Sequence, residues 1–178
     1  MTRDATGRPL WVPFLALVGL VTIVDQASKA WIAGSLASGR VILLVGDALR
    51  LVYSENNGAL FGLFRGQVAL FALLSVMVIG LIVWIHARSG RSPYLTLTLG
   101  LLLGGAIGNA IDRFRLGHVI DFVDGGIGTW RFYTFNVADA CISTAIVLLF
   151  AMTIWPSLVD GERRGTDDPR PDDRAPDG

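Results

Sequence analysis

Between residues 104 and 139 the chain places Asp112, Asp121, Asp124 and Asp139 among glycines, aromatic residues and aliphatic residues. Two of these acids have surroundings suited to proton transfer. Asp121 sits in His118-Val-Ile-Asp121-Phe-Val-Asp124, an extended-looking run in which Val119, Asp121 and Val123 share one face. Apolar neighbours desolvate a carboxylate and favour its protonated form. Asp139 sits in Phe135-Asn136-Val-Ala-Asp139. With Asn136 as the N-cap of a helix, Asp139 falls in the first turn, where exposed N–H groups and the helix dipole favour an ionised carboxylate. Two close carboxylates cannot both ionise cheaply, so such a pair shares one proton: one group takes a proton from water while the other gives one to a carbonyl oxygen. Spacing alone leaves two plainer readings open, Asp139 as an ordinary helix-start acid and Asp121 as a solvated loop acid. Asp124, beside Gly125 and Gly126, reads as a turn residue. Cys141 has no expected histidine partner and reads as a helix-packing residue rather than a nucleophile.

Further polar residues surround this pair in sequence. Asp25 and Lys29 are four apart in a long apolar run, so they share a helix face in the favourable acid-first order. The expectation is a structural ion pair, with Lys29 snorkelling to the interface, in preference to a direct catalytic role. Gly100, Gly104 and Gly108 recur every four residues, with Asp112 continuing the row, and Gly105, Asn109 and Arg113 form the adjacent row. A stripe of this kind lets a second helix approach closely and brings polar groups to the end of the packed seam.

These groups need elements to hold them, and the apolar blocks supply the elements. Of 178 residues 52% are hydrophobic, and formal charges balance at 15 basic and 15 acidic. The expected fold class is an all-α membrane protein with four transmembrane helices, at about residues 11–33, 67–86, 94–112 and 136–155. A secretory signal peptide is the competing reading of the first block, disfavoured because further spans follow and the Asp25/Lys29 pair interrupts the expected cleavage region. Residues 41–45 and 49–53 are short strand-like runs separated by Gly46-Asp47, so a small extracytoplasmic sheet is expected in the segment 35–66. Asn56-Asn57-Gly58 then favours a turn. Four spans put both termini on one side. Arg3, Arg8, Arg88, Arg91, Arg163 and Arg164 flank the spans closely on that side, which makes it cytoplasmic; Arg40, Arg50, Arg65, Arg113, Arg115 and Arg131 lie in the longer outer loops. Residues 1–159 form the membrane domain, and residues 160–178, rich in Asp, Arg, Pro and Gly, read as a disordered cytoplasmic tail. Scattered basic residues argue against a nucleic-acid face, a single cysteine excludes an internal disulfide and a multi-cysteine metal site, and two histidines argue against a His-rich metal centre.

Five blocks in order resemble the lipoprotein signal peptidases, or signal peptidase II: Asp25-Gln-Ala-Ser-Lys29 with Trp31; Asn56-Asn-Gly-Ala-Leu-Phe61; Gly104-Gly-Ala-Ile-Gly-Asn109-Ala-Ile-Asp112-Arg113; Gly117-His-Val-Ile-Asp121-Phe122; and Phe135-Asn136-Val-Ala-Asp139. The resemblance implies an aspartic endopeptidase of the bacterial cytoplasmic membrane that removes the signal peptide from prolipoproteins, cutting before a cysteine that already carries diacylglycerol. It implies Asp121 and Asp139 as the catalytic pair, no metal or cofactor, and Asp25, Lys29, Asn56, Asn109, Asp112, Arg113 and Asn136 as a supporting, substrate-binding set. It further implies a sheet that cradles substrate, an outer loop along the membrane, an active site facing outward, and membrane lipid and prolipoproteins as partners; a monomer is expected. Leu60 stands where the family usually has a second Ala, and residues 129–134 lack the Trp-Pro often found there. A proton-coupled carrier is the alternative; it would spread polar residues through the membrane depth. A membrane assembly protein held by the glycine seam is a third reading, which leaves the Asn and Asp positions unexplained.

Overall fold

The structure is a computed structural model that describes residues 9–57 and 68–156. Among the described residues four helices are present: α1 (Trp11–Leu36), α2 (Val68–Ser89), α3 (Pro93–Leu116) and α4 (Val137–Ile154). Four strands, β1 (Ile42–Val45), β2 (Leu49–Asn56), β3 (Val119–Ile127) and β4 (Trp130–Arg131), form one antiparallel sheet in the order β1-β2-β3-β4. The helices fall on the four apolar blocks, and the small sheet extends beyond the expected segment 35–66, adding β3 and β4 from residues 119–131. Among the described residues, α1, α3 and α4 are each long and apolar enough to cross a membrane, and α2 adds the apolar stretch Leu73–Ser89. The expected turn at Gly58, Leu60 in the second block and the 160–178 tail lie outside the described residues.

Local chemistry sets the helix ends. Pro93 opens α3, where a missing N–H costs nothing, and Gly117 closes it in the left-handed conformation at φ 79°, its N–H returning to the Arg113 carbonyl. The third helix thus runs past residue 112, the expected end of that span, and carries Asp112 and Arg113 inside its last turns. Asn136 caps α4 as expected. Its side chain accepts from the Asp139 N–H, and the Asp139 carboxylate accepts from the Asn136 N–H, a reciprocal capping box.

α3 is the central helix and packs against α1, α2 and α4. The glycine row explains how. A methyl group at Gly100 would come within 2.8 Å of Leu17, at Gly104 within 2.7 Å of Val21, and at Gly108 it would overlap the Asp25 carboxylate, so all three open the seam to α1. Gly105 opens the other side, where a methyl group would lie 2.6 Å from the Ala138 carbonyl of α4. In a membrane this close approach supplies van der Waals contact where no hydrophobic drive separates helix from lipid. α1 turns one face inward, Phe14, Val18, Val21, Asp25, Lys29, Ile32 and Leu36, while Val12, Leu15, Leu20 and Ile23 are exposed.

Two apolar clusters divide the work. Phe14, Val18, Ile82, Leu95, Leu99 and Leu103 join α1, α2 and α3 at one end. Ile32, Leu36, Ile120 and Phe122, flanked by Leu51, Tyr53 and Val137, fasten the sheet to the other. Phe135 pairs with Val123 just before α4 starts, its carbonyl accepting from Phe122 N (3.0 Å) and Val123 N (2.8 Å). This pairing fixes the start of α4 against β3.

Candidate active site

The strand β3 and the first turn of α4 bring Asp121 and Asp139 to one polar centre. Asp121 is 1% exposed, whereas Asp139 is half-buried. Asparagine amides hold both. Asn136 Nδ2 donates to Asp121 Oδ1 at 2.7 Å, and Asn56 Nδ2 donates to Asp121 Oδ2 at 3.0 Å. Asn109 Nδ2 donates to Asp139 Oδ1 at 2.8 Å, and its own Oδ1 accepts from Asn136 Nδ2 at 3.2 Å. Burial pushes the Asp121 carboxyl up to about 7, and the Asp139 charge adds to the shift; the amides of Asn56 and Asn136 and the charge of Lys29 oppose it. A carboxyl with this value carries its proton at mildly acidic pH and loses it near neutrality.

A second group underlies the first. Lys29 is buried, and its three ammonium protons have three acceptors: Asp25 Oδ2 at 2.8 Å, Asp112 Oδ2 at 2.9 Å and Asn109 Oδ1 at 2.9 Å. The ion pair expected for Asp25 and Lys29 is present. Its snorkelling is not: Lys29 turns inward because Asp112, from α3, and Asn109 offer the charge and acceptor that the interface would otherwise provide. Gln26 bridges the same carboxylates, donating to Asp112 Oδ1 at 2.9 Å, to Asp25 Oδ2 at 3.3 Å and to the Gly108 carbonyl at 3.1 Å.

The two carboxylates of this group each anchor one element of the pair. Asp25 Oδ1 accepts from Ala138 N at 2.9 Å, satisfying a buried N-terminal amide of α4 one residue before Asp139. Asp112 Oδ2 accepts from Ile120 N at 3.2 Å, one residue before Asp121. Lys29 joins the two anchors. Arg113 lies within electrostatic range of Asp139, Asp121 and Asp112, and its Nη1 donates to the Asn109 carbonyl at 3.3 Å. Every residue of the expected site is therefore gathered here.

Sequence reading missed three things. Gln26 gave no signal beyond its place between Asp25 and Lys29. The capping of α4 by Asp25 spans 113 residues. Asp124 is not a turn residue; β3 continues through it, and it is buried and ion-paired with Arg50 and Arg131. Among the described residues no three His, Cys, Asp or Glu side chains are grouped to hold a metal ion. Cys141 lies on α4 and is partly buried.

Comparison with known proteins gives the family and the fold. A family model described as signal peptidase (SPase) II matches residues 17–155. The chain is 42% identical over 146 residues to the lipoprotein signal peptidase of Parasynechococcus marenigrum, covering 82% of this chain and 90% of that protein. It is 40% identical over 153 residues to the lipoprotein signal peptidase of Syntrophomonas wolfei, covering 86% of this chain and 95% of that protein. A solved bacterial membrane enzyme has the same fold, with a TM-score of 0.76 at 23% identity, covering 90% of this chain and 96% of its own. A second, at 26% identity, also gives 0.76 over 83% of this chain and 96% of its own. The chain belongs to the signal peptidase II family.

Proposed function

We propose that the protein removes the signal peptide from prolipoproteins as an aspartic endopeptidase, with Asp121 and Asp139 as its catalytic pair, and cuts before a diacylglyceryl-modified cysteine. The family membership supports the substrate class. The observation that carries the mechanism is the amide-linked pair itself, with one member buried so that its carboxyl is pushed up to about 7. Asp121, protonated, donates to the scissile carbonyl oxygen. Asp139, half-exposed and held by Asn109, takes a proton from the attacking water. The resulting tetrahedral diol collapses as the C–N bond breaks: Asp139 passes the proton taken from water to the leaving amine, and a diol hydroxyl returns a proton to Asp121, leaving the new carboxyl. No cofactor is required. Asn56, Asn109 and Asn136 orient the carboxylates, while Asp25, Lys29 and Asp112 hold the elements that bear them. Arg113 supplies positive charge beside the pair, and β2 and β3 cradle the substrate.

The same reading places four spans in the bacterial inner membrane, with residues 1–159 as the membrane unit, both termini and the 160–178 tail in the cytoplasm, and the pair facing outward. Tryptophans support it. Trp11, Trp84 and Trp155 are exposed near the ends of α1, α2 and α4 where Phe14 stacks on His86, and Trp31 and Trp130 are exposed at the sheet end. Along α1, Trp11 and Trp31 are separated by about 30 Å, the thickness of the hydrocarbon layer. The carrier reading lacks support: the polar cluster of α1 and α3 gathers toward the sheet end rather than spreading through the depth. A monomer in lipid completes the proposal.

The test is Asp121→Asn and Asp139→Asn, made separately and assayed on a diacylglyceryl-modified prolipoprotein. Each is expected to lose on the order of 10²–10⁴-fold in kcat while remaining folded in the membrane. Near-normal cleavage by either variant sinks the pair.

A further inference from the structure

At the far end of the sheet from the pair, two arginines and two aspartates form a closed network. Asp124, on β3, receives Arg50 Nε at 2.7 Å and Arg131 Nε at 3.0 Å. Arg131 Nη2 also reaches the Asp124 carboxylate at 3.0 Å and its carbonyl at 3.3 Å. Arg131 Nη1 donates to the Asp47 carbonyl at 2.7 Å, Arg50 Nη1 lies 3.2 Å from Asp47 Oδ1, and Gly128 N donates to Asp47 Oδ2 at 3.1 Å. The network ties together the β1–β2 turn, β2, β3 and β4. Asp124 is its buried centre, at 5% exposure, while Asp47 is half exposed.

The pairing of β2 with β3 gives this network a consequence for the pair. Arg50 stands opposite Asp124 and Leu51 opposite Val123, but the next register is Ser54 opposite Asp121. Between these points β2 advances three residues and β3 only two, so β2 carries one extra residue. Beyond it, Asn56 stands opposite Val119 and donates to Asp121. A slide of β2 as a whole by one position along β3, with the extra residue kept, would turn every side chain to the other face. Asn56 would then leave Asp121. The direct opposition of Arg50 and Asp124, reinforced by Arg131, resists that slide of the whole strand.

We propose that Asp124, clamped by Arg50 and Arg131, is a positioning residue of the peptidase: it pins the β2–β3 register and so holds the Asn56 amide on Asp121. The inference rests on Asp121 being catalytic. Because the Asn56 hydrogen bond favours the ionised form of Asp121, losing it moves the alkaline limb of the pH–rate profile upward.

The experiment compares the full-length wild type with Asn56→Ala, Asp124→Ala and the double variant in lipid, measuring kcat, KM and the pH profile. Asp124→Ala is expected to lower kcat about 10-fold with KM little changed, and to move the alkaline limb in the same direction as Asn56→Ala. The double variant is expected to be no worse than Asn56→Ala alone, since both remove one interaction. Effects that multiply, or a folded Asp124→Ala protein with normal kcat and an unmoved limb, overturn the proposal. Where Asp124→Ala does not fold, Arg131→Gln, which keeps the Arg50–Asp124 pair, is expected to give a smaller shift with the same non-additivity; multiplying effects there overturn it too. Asp121→Asn in parallel separates the two claims, because activity remaining in it counts against the catalytic pair and leaves the clamp's coupling to be read from the cycle.

Discussion

Two pairs of aspartates lie within one polar centre and are held in opposite ways. Asp25 and Asp112 share a buried ammonium, Lys29, whose three protons are all used. Asp121 and Asp139 receive their side-chain hydrogen bonds from the amides of Asn56, Asn109 and Asn136. An amide orients a carboxylate without neutralising it. The first pair therefore serves as a fixed anchor for the ends of two elements, and the second is the one that exchanges a proton in the proposed mechanism. Asn109 joins the two, accepting from Lys29 and donating to Asp139. In a low-dielectric site a charge that is fully paired is structure, and one that is merely oriented is available for chemistry.

The sharpest way to break this contrast is Lys29→Met, which leaves Asp25 and Asp112 buried without their cation. It is expected to destabilise the folded protein by about 3–5 kcal/mol. Adding Asp112→Asn should recover part of the loss, and thermal unfolding in detergent reads both. Failure of the second change to recover anything would mean that Lys29 acts otherwise than as their counter-ion. A smaller effect is expected from Gly108→Ala. The new methyl group meets the Asp25 carboxylate at the α1–α3 seam, with a cost of about 1–3 kcal/mol and a loss of activity through the displaced cap on α4. Asn136→Ala is milder for stability, at about 1 kcal/mol for the lost helix cap. It removes a hydrogen bond that favours the ionised form of Asp121, so the Asp121 proton should persist to higher pH, visible as an upward move of the alkaline limb. A downward move would contradict the placement of that amide.

Much of the fold was legible because its signals are local. The apolar blocks near residues 11–33, 67–86, 94–112 and 136–155 coincide with α1 to α4, the strand-like runs 41–45 and 49–53 became β1 and β2, and the Asn136 cap followed from its spacing to Asp139. The glycine row was legible as a seam, since a four-residue repeat on a helix is one face whatever packs on it. The errors came where long-range partners outweigh local preference. Lys29 was expected at the interface because its neighbours in sequence give no reason to bury it; Asp112, far along the chain, does. Asp124 beside two glycines looked like a turn, yet Arg50 and Arg131 hold it within a strand. The anchoring of α4 by Asp25 had no local signal, since it connects a side chain of the first helix to a backbone amide of the last.

The central claim is that Asp121 and Asp139 act as a coupled pair, and the most direct measurement is the titration of their carboxyl groups by difference infrared spectroscopy on the wild type and Asp139→Asn. With the Asp121 value raised to about 7 by burial and by the Asp139 charge, the proton is held below that pH and lost above it, so cleavage should decline as pH rises through neutrality. The wild type should show one carboxyl titrating near 7, and in Asp139→Asn the Asp121 titration should move to lower pH because one cause of the shift is gone. A wild-type protein in which no carboxyl titrates above the ordinary range of about 4, or an Asp121 titration unmoved by the loss of Asp139, would contradict the account.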